Sequence, residues 1–330
     1  MTSGADIYQG ERRVAHLSRS PEGIRYHRDP SVALDRGMLS TTLPASLSDR
    51  TDRDLPTYFL NLLPEGARLR LLLESARDPD DQLDLLLRVG ADAIGDVSVV
   101  PHGMPLPKAE SSRLDPARQS FWEEFRARYA ADGDGAIPGV QEKISAATVS
   151  FPIRTQAKSA ILKLSPERYP RLAENEAFFL RAAKDCGIPT ARAHLVHDAS
   201  GEPGLLAERF DRVRSGRLHV EDVCQLLDLP PGRKYQVSFR EVVEVVARWA
   251  SAPTVETMRL LELYAFSYLI GNGDLHAKNV SLIWSPVVRL SPAYDLLSTL
   301  PYPNLERRMA LPLDGRDDNF RLDHFVSFGE

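Results

Sequence analysis

Residues 271–279, GNGDLHAKN, set an acid, an imidazole, an ammonium and an amide in nine positions, directly after the apolar stretch VETMRLLELYAFSYLI. The apolar residues of that stretch recur at three-and-four spacing and predict a long helix. A knot of polar side chains at its end is either a turn between core elements or a reaction centre. As a turn, Asp274 caps and Asn279 closes, and a lone Asp with an Asn five residues on is ordinarily no more than that. The neighbours change the balance. The strand-like VSLIW follows at once, and Asp295 stands sixteen residues beyond Asn279, in LSPAYDLLS.

Catalytic Asp and metal-binding Asn residues of protein kinases stand at this same separation, because a loop of that length brings a base to a substrate hydroxyl and an amide to magnesium. A second acid, here Asp295, is then needed, since one carboxylate cannot hold the ion against both the β- and γ-phosphates. The upstream half offers the remaining parts. Lys163 lies in AILKLS, an ammonium flanked by apolar residues on a predicted strand; alone it reads as an edge-strand lysine facing water. The following helix, RLAENEAFFL, supplies Glu174 and Glu176 as partners for it. Glu176 shares a face with Leu180 and Ala183, which makes it the inward acid, although a first-turn glutamate also complements the helix dipole. The glycine-rich DGDGAIPGVQEK could wrap phosphates with its amides, but it matches neither common glycine-loop pattern and reads equally as a surface turn. LLAERFDR (205–212) would form a hinge, with backbone near Glu208 and Phe210 toward an adenine. His276 and Lys278 either contact the terminal phosphate or hydrogen-bond their own loop.

Composition bounds these readings. At 330 residues and a net charge of −5, the chain is long enough for two or three cores and lacks the dominant basic surface of a nucleic-acid binder. Cys186 and Cys224 form no paired motif, so neither a disulfide framework nor a cysteine zinc site is expected, and a reducing cytoplasm is the natural setting. His276 has no second ligand at zinc-site spacing. No stretch approaches the ~20 apolar residues of a membrane helix, and no G-x-S-x-G hydrolase signature occurs.

Organisation follows from turn signals and periodicity. A three-stranded meander (ADIYQGERRVAHLSRSPEGIRYHRD), helices from Asp54 onward with Gly90 as a C-cap, and the strand AIGDVSVVP make a first unit, residues 1–103. PHGMPLPKAESS reads as a linker. Residues 112–212 open with a helix capped by Asp115 and continue as strand, lysine strand, acid-bearing helix and two more strands. Residues 213–330 are mostly helical and carry the polar motif. The fold class is α+β, a kinase-like two-lobed body behind a small N-terminal α/β domain.

With these pieces assembled, the chain resembles the HipA family of bacterial serine/threonine kinases, the toxin half of a toxin–antitoxin pair. The shared stretches are NLLPEG, RVGADAIGDVSVVP, GVQEK, ILKL, ENEAFFLRAAKDCGIP, AERFDR, EDVCQLLDLPPGRKY, GNGDLHAKNVSL and PAYDLLST, in the family's order. The resemblance implies Asp274 as catalytic base, Asn279 and Asp295 on Mg2+, and Glu176 in an ion pair with Lys163. It implies an ATP-binding set of Pro138, Gly139, Val140, Gln141, Glu142, Lys143, Lys163, Glu208, Arg209, Phe210, His276, Ala277, Lys278, Asn279, Tyr294 and Asp295. A helix-turn-helix antitoxin (HipB-like) is the implied partner and the only link to nucleic acid; an aminoacyl-tRNA synthetase is an implied substrate. Members of the best-known type phosphorylate a loop serine whose place, counted back from Gly139, is here Ala136, so self-inactivation through that loop is not expected. The chain ends at Glu330, 35 residues beyond Asp295, where the family continues with helices. A truncated C-lobe is the expectation. Two other readings stay open: a small-molecule phosphotransferase of the aminoglycoside or choline kinase type, and an inactive ATP-binding regulator.

Overall fold

The computed structural model describes residues 4–107, 115, 116, 119–129, 149–155, 158–303 and 305–330. Strands β1 (Gly4–Gln9), β2 (Arg12–Ser20) and β3 (Gly23–Arg28) form the meander. Two short strands follow, β4 (Met38–Ser40) and β5 (Leu43–Pro44), and then β6 (Asp49–Asp52) and β7 (Val97–Pro101). The meander gains β6 on one side and β7 on the other, in the order β6-β3-β2-β1-β7. Helices α1 (Thr57–Leu60), α2 (Gly66–Glu74) and α3 (Gln82–Val89) lie between β6 and β7. Alternation along the strands buries Ile7, Leu17, Tyr26 and Val99 in a core with Phe59 and Leu86.

The next unit begins with α4 (Phe121–Tyr129). Its start lies later than the Asp115 cap expected from sequence, and Ser120 Oγ accepts the Glu123 N–H at 3.4 Å. Four antiparallel strands follow, β8 (Val149–Arg154), β9 (Ser159–Leu164), β10 (Ala193–His197) and β11 (Pro203–Glu208), in the order β10-β11-β9-β8. Helix α5 (Leu172–Asp185) packs against them and buries Leu172, Glu176, Leu180 and Ala183, one face at helical spacing. Gly187, at φ +86°, ends it.

A short hairpin, β12 (Arg212–Val213) and β13 (Gly216–Arg217), leads into the last unit. There β14 (His219–Asp222), β15 (Ser281–Ser285) and β16 (Val287–Leu290) make a three-stranded sheet. It accompanies helices α6 (Val223–Leu226), α7 (Phe239–Trp249), α8 (Pro253–Leu269) and α9 (Leu322–Gly329). Helix α7 opens with a Ser238/Glu241 capping box and stacks Phe239 on Tyr264 of α8. Among the described residues, no helix is long and apolar enough to cross a membrane.

Candidate active site

The polar motif begins where α8 stops. Gly271 takes φ +67°, its N–H donates to the Tyr268 carbonyl at 3.0 Å, and the Asn272 N–H donates to the Ser267 carbonyl at 2.8 Å. These paired bonds are a Schellman ending, which needs a residue free to adopt the left-handed region. The segment after Asp295 then clasps the loop: the Thr299 N–H donates to the Gly271 carbonyl at 2.9 Å, and the Gly273 N–H donates to Thr299 Oγ1 at 3.2 Å. A Cβ at Gly273 would lie 2.3 Å from the Glu306 carbonyl oxygen, so only glycine fits there. The two halves of the motif, 271–279 and 295–299, are therefore hydrogen-bonded to one another.

Lys163 reaches this unit from the centre of the β8–β11 sheet. Its Nζ donates to Glu176 Oε1 at 2.6 Å and also contacts Asp295 Oδ1. Lys163 and Glu176 are buried, whereas the Asp295 side chain is 41% exposed. Burial alone would lower the Lys163 pKa; the Asp295 and Glu176 carboxylates outweigh it and hold the ammonium above its ordinary range. Burial pushes Glu176 up, opposed by Lys163 and reinforced by the charge of Asp295, because one cation serves two acids. Asp295 sits at φ +53°, in the left-handed region that an Asp tolerates better than most residues. The inward acid is thus Glu176; Glu174 lies beside Arg171 instead.

Asn279 Nδ2 is 3.4 Å from Asp295 Oδ2, while Asn279 Oδ1 is buried with no hydrogen-bond partner among the described residues. An amide oxygen left in that state costs free energy. Beside a carboxylate it is also what a hard divalent cation takes as ligand. The donor set therefore fits magnesium. Asp274 is buried, and its Oδ1 accepts the Tyr235 hydroxyl at 2.7 Å. That contact shows the carboxylate can receive a hydroxyl proton donor from its surroundings. The Tyr235 ring meets His276 edge to face at 5.0 Å.

Comparisons with known proteins show the family and the fold. Family models match both parts of the chain: the HipA-like C-terminal domain over residues 135–330 and the HipA N-terminal domain over residues 5–100. The chain belongs to the HipA family. A putative kinase, Y4mE, from Sinorhizobium fredii is 32% identical over 305 residues, 84% of this chain and 72% of that protein. The serine/threonine-protein kinase toxin HipA of Shewanella oneidensis is 28% identical over 312 residues, 85% and 71% of the two chains. A solved structure of the Shewanella HipA, HipB and operator DNA complex superposes with a TM-score of 0.78 at 24% identity, covering 98% of this chain and 83% of that one. The kinase-like HipA fold is shared along nearly the whole length.

Other members of the HipA-implied set are placed less simply. Phe210 and Tyr294 face each other with ring centroids 5.8 Å apart. The Tyr294 hydroxyl donates to the Lys278 carbonyl at 2.8 Å and is 2.6 Å from Ser281 Oγ, and burial lifts its pKa well above the usual range. The Glu208 carboxylate accepts Lys158 Nζ at 2.6 Å. The Arg209 guanidinium turns away to Asp211, Asp92 and the Ala93 carbonyl. The Glu208 and Arg209 backbone N–H groups donate to the Arg192 carbonyl at 2.8 Å and the Ser159 carbonyl at 3.1 Å. Lys278 points away from the Lys163 and Asp295 pair: its Nζ donates to Asp222 Oδ2 at 2.7 Å and Asn61 Oδ1 at 3.0 Å. The reason is electrostatic, since the partly buried Asp222 carboxylate, whose pKa burial raises, is held by the Lys278 charge. Ala277 is buried in the core of the last unit, and its N–H donates to the Lys234 carbonyl at 3.1 Å. Pro138, Gly139, Val140, Gln141, Glu142, Lys143 and Ala136 lie outside the described residues.

Sequence reasoning missed the loop's outer supports. Asn61 holds Lys278, and Glu65 Oε2 accepts Lys234 Nζ at 2.7 Å. Both come from NLLPEG in the N-terminal domain, so that domain buttresses the candidate catalytic loop from behind. Three arginines extend the same junction: Arg209, Arg212 and Arg217 all donate to the Ala93 carbonyl.

Proposed function

We propose that the chain is an ATP- and Mg2+-dependent serine/threonine protein kinase, the toxin of a toxin–antitoxin pair restrained by a helix-turn-helix HipB-like antitoxin. Its proposed substrate is a translation component such as an aminoacyl-tRNA synthetase, which places the reaction in the cytoplasm. The observation that carries the reading is the convergence of Lys163, Glu176, Asp295 and Asn279, the last on the loop that also carries Asp274, with the Asn279 oxygen lacking a partner among the described residues. In this reading Lys163 binds the α- and β-phosphates, oriented by Glu176. Asn279 and Asp295 hold magnesium, which when bound neutralises charge on the phosphoryl oxygens. Asp274 accepts the proton of the acceptor hydroxyl, and the backbone of Glu208–Phe210 receives the adenine.

The names of the relatives support kinase and toxin, and the Shewanella complex supports a HipB-like partner. Phosphoproteomics after induced expression, wild type against Asp274→Asn, tests the substrate class. The reading expects a phosphosite on a translation protein only with wild type. Identical phosphoproteomes would remove protein kinase activity and return the choice to a small-molecule phosphotransferase or an inactive regulator.

A further inference from the structure

On the face of the N-terminal sheet opposite its apolar core, three side chains converge that the kinase chemistry does not use. Asp6 of β1 stands directly across from His16 of β2, so their side chains share one face. His102 follows β7, the strand on the other side of β1. His16 Nδ1 lies 3.2 Å and His102 Nδ1 3.0 Å from the same Asp6 oxygen, Oδ1. The two rings meet edge to face with centroids 4.6 Å apart, and so approach that oxygen from different directions.

The position of His102 is built rather than incidental. Pro101–Met104 is a β-turn closed by the Met104 N–H to the Pro101 carbonyl at 3.0 Å, with Gly103 at φ +77° in the place that favours glycine. The turn aims the Gly103 N–H at Asp6 Oδ2, 2.8 Å away, which fixes the carboxylate and presents Oδ1 to the imidazoles. Asp6 is 1% exposed, yet His102 and His16 keep part of their surface in solvent, which leaves a route in. Arg13 Nη1 is 3.7 Å from Asp6 Oδ1 and is the competing cation; its side chain is 53% exposed and can swing out.

We propose that Asp6, His16 and His102 bind a borderline divalent transition metal ion of the Zn2+ class, with water as fourth ligand. In a tetrahedral site with bonds of about 2.0–2.1 Å, ligand atoms stand about 3.3 Å apart. The two separations from Asp6 Oδ1, 3.2 and 3.0 Å, are within a few tenths of an ångström of that before any metal adjusts them, and the three ligand atoms all lie within 4.8 Å of one another. Two imidazoles and one carboxylate suit zinc, cobalt or nickel over magnesium or calcium, which prefer all-oxygen shells. The site is thus chemically separate from the magnesium position at Asn279 and Asp295. Its consequence is structural: the ion would fasten the turn through which the chain leaves the N-terminal domain to the β1–β2 pair.

The test uses full-length untagged protein, since a polyhistidine tag would itself bind metal. The protein is stripped with chelator, dialysed and titrated with Zn2+ by calorimetry, with Co2+ as the spectroscopic probe. The proposal expects one equivalent of Zn2+ per chain, visible absorption of a low-symmetry Co2+ site, and zinc-dependent protection against thermal unfolding. His102→Ala changes a half-exposed side chain and leaves the fold standing. It, His16→Ala and the isosteric Asp6→Asn are each expected to weaken binding by at least about tenfold. No binding to wild type, or unchanged binding in His102→Ala and His16→Ala, would mean that the cluster is held by hydrogen bonds alone, and the proposal would fall.

Discussion

Replacing Lys163 with Met keeps most of the side-chain volume and removes the only cation that the described structure places on buried Glu176. The carboxylate then has two options, to stay charged without a partner or to take up a proton. Protonation sets the ceiling on the cost: holding a glutamate of ordinary pKa about 4.3 neutral at pH 7 costs roughly 3.5 kcal/mol, similar to breaking a buried ion pair. The sign follows directly. A Glu176 whose folded pKa is raised above its unfolded value favours folding below that unfolded value and loses the advantage as pH rises toward the folded pKa. The penalty of Lys163→Met therefore grows by up to about 1.4 kcal/mol per pH unit above pH ~4.3. Asp295 loses the same cation, but its exposed carboxylate is solvated and adds little. Thermal melts at pH 6 and pH 8 should show a larger fall at pH 8, roughly 7 °C for the full penalty in a chain of this size. Adding Glu176→Gln should remove most of both the penalty and its pH dependence. Phosphate transfer should stay at least about a hundredfold down in single and double variants alike, since the phosphate-binding ammonium is absent from both. Equal melts at the two pH values, or no rescue by Glu176→Gln, would refute the buried pair.

Lys278→Met orphans Asp222 and loosens the N-terminal domain from the catalytic loop, so it should destabilise by up to about 3–5 kcal/mol while leaving ATP affinity within about threefold by calorimetry. The reverse pattern would mean that Lys278 faces the nucleotide. Gly273→Ala forces a Cβ onto the Glu306 carbonyl and should cost about 1–3 kcal/mol in denaturant unfolding and disable transfer. Buried His219 loses basicity to burial but gains more from Asp96 and Glu221, and its pKa is raised. Its protonated form thus stabilises the domain junction fully below pH ~6.5, and that stability is lost as pH climbs through the raised pKa. Protection factors across β14, with the intrinsic base-catalysed exchange rate divided out, should fall over that window in wild type and lose that pH dependence in His219→Gln.

Local pattern carried much of the architecture. The β1–β3 meander follows from Gly10 and Gly23 between alternating runs, α5 from three-and-four spacing, and its inward acid from the face shared by Glu176, Leu180 and Ala183. The separation of Asp274, Asn279 and Asp295 pointed to one site because a loop and a strand connection of those lengths can return to the same place. What remained illegible has no local period. Lys278 meets Asn61 across 217 positions and Lys234 meets Glu65 across 169, so neither pair leaves a trace in any sequence window. The same holds for β14, whose partner β15 lies beyond three helices, α6, α7 and α8. Taking residues 101–112 for a linker hid the 101–104 turn, because glycine and proline punctuate an ordered turn and a loose connection alike.

The central claim is that Asp274 serves a site that transfers phosphate from ATP. The most direct measurement incubates purified wild type and Asp274→Asn with labelled ATP, Mg2+ and a lysate cleared of endogenous kinase activity, and follows label into protein alongside nucleotide affinity. The account predicts label with wild type, none above background with Asp274→Asn, and the same ATP affinity in both. Wild type that binds ATP and magnesium yet transfers no label, or an Asp274→Asn variant that transfers as well as wild type, would contradict it.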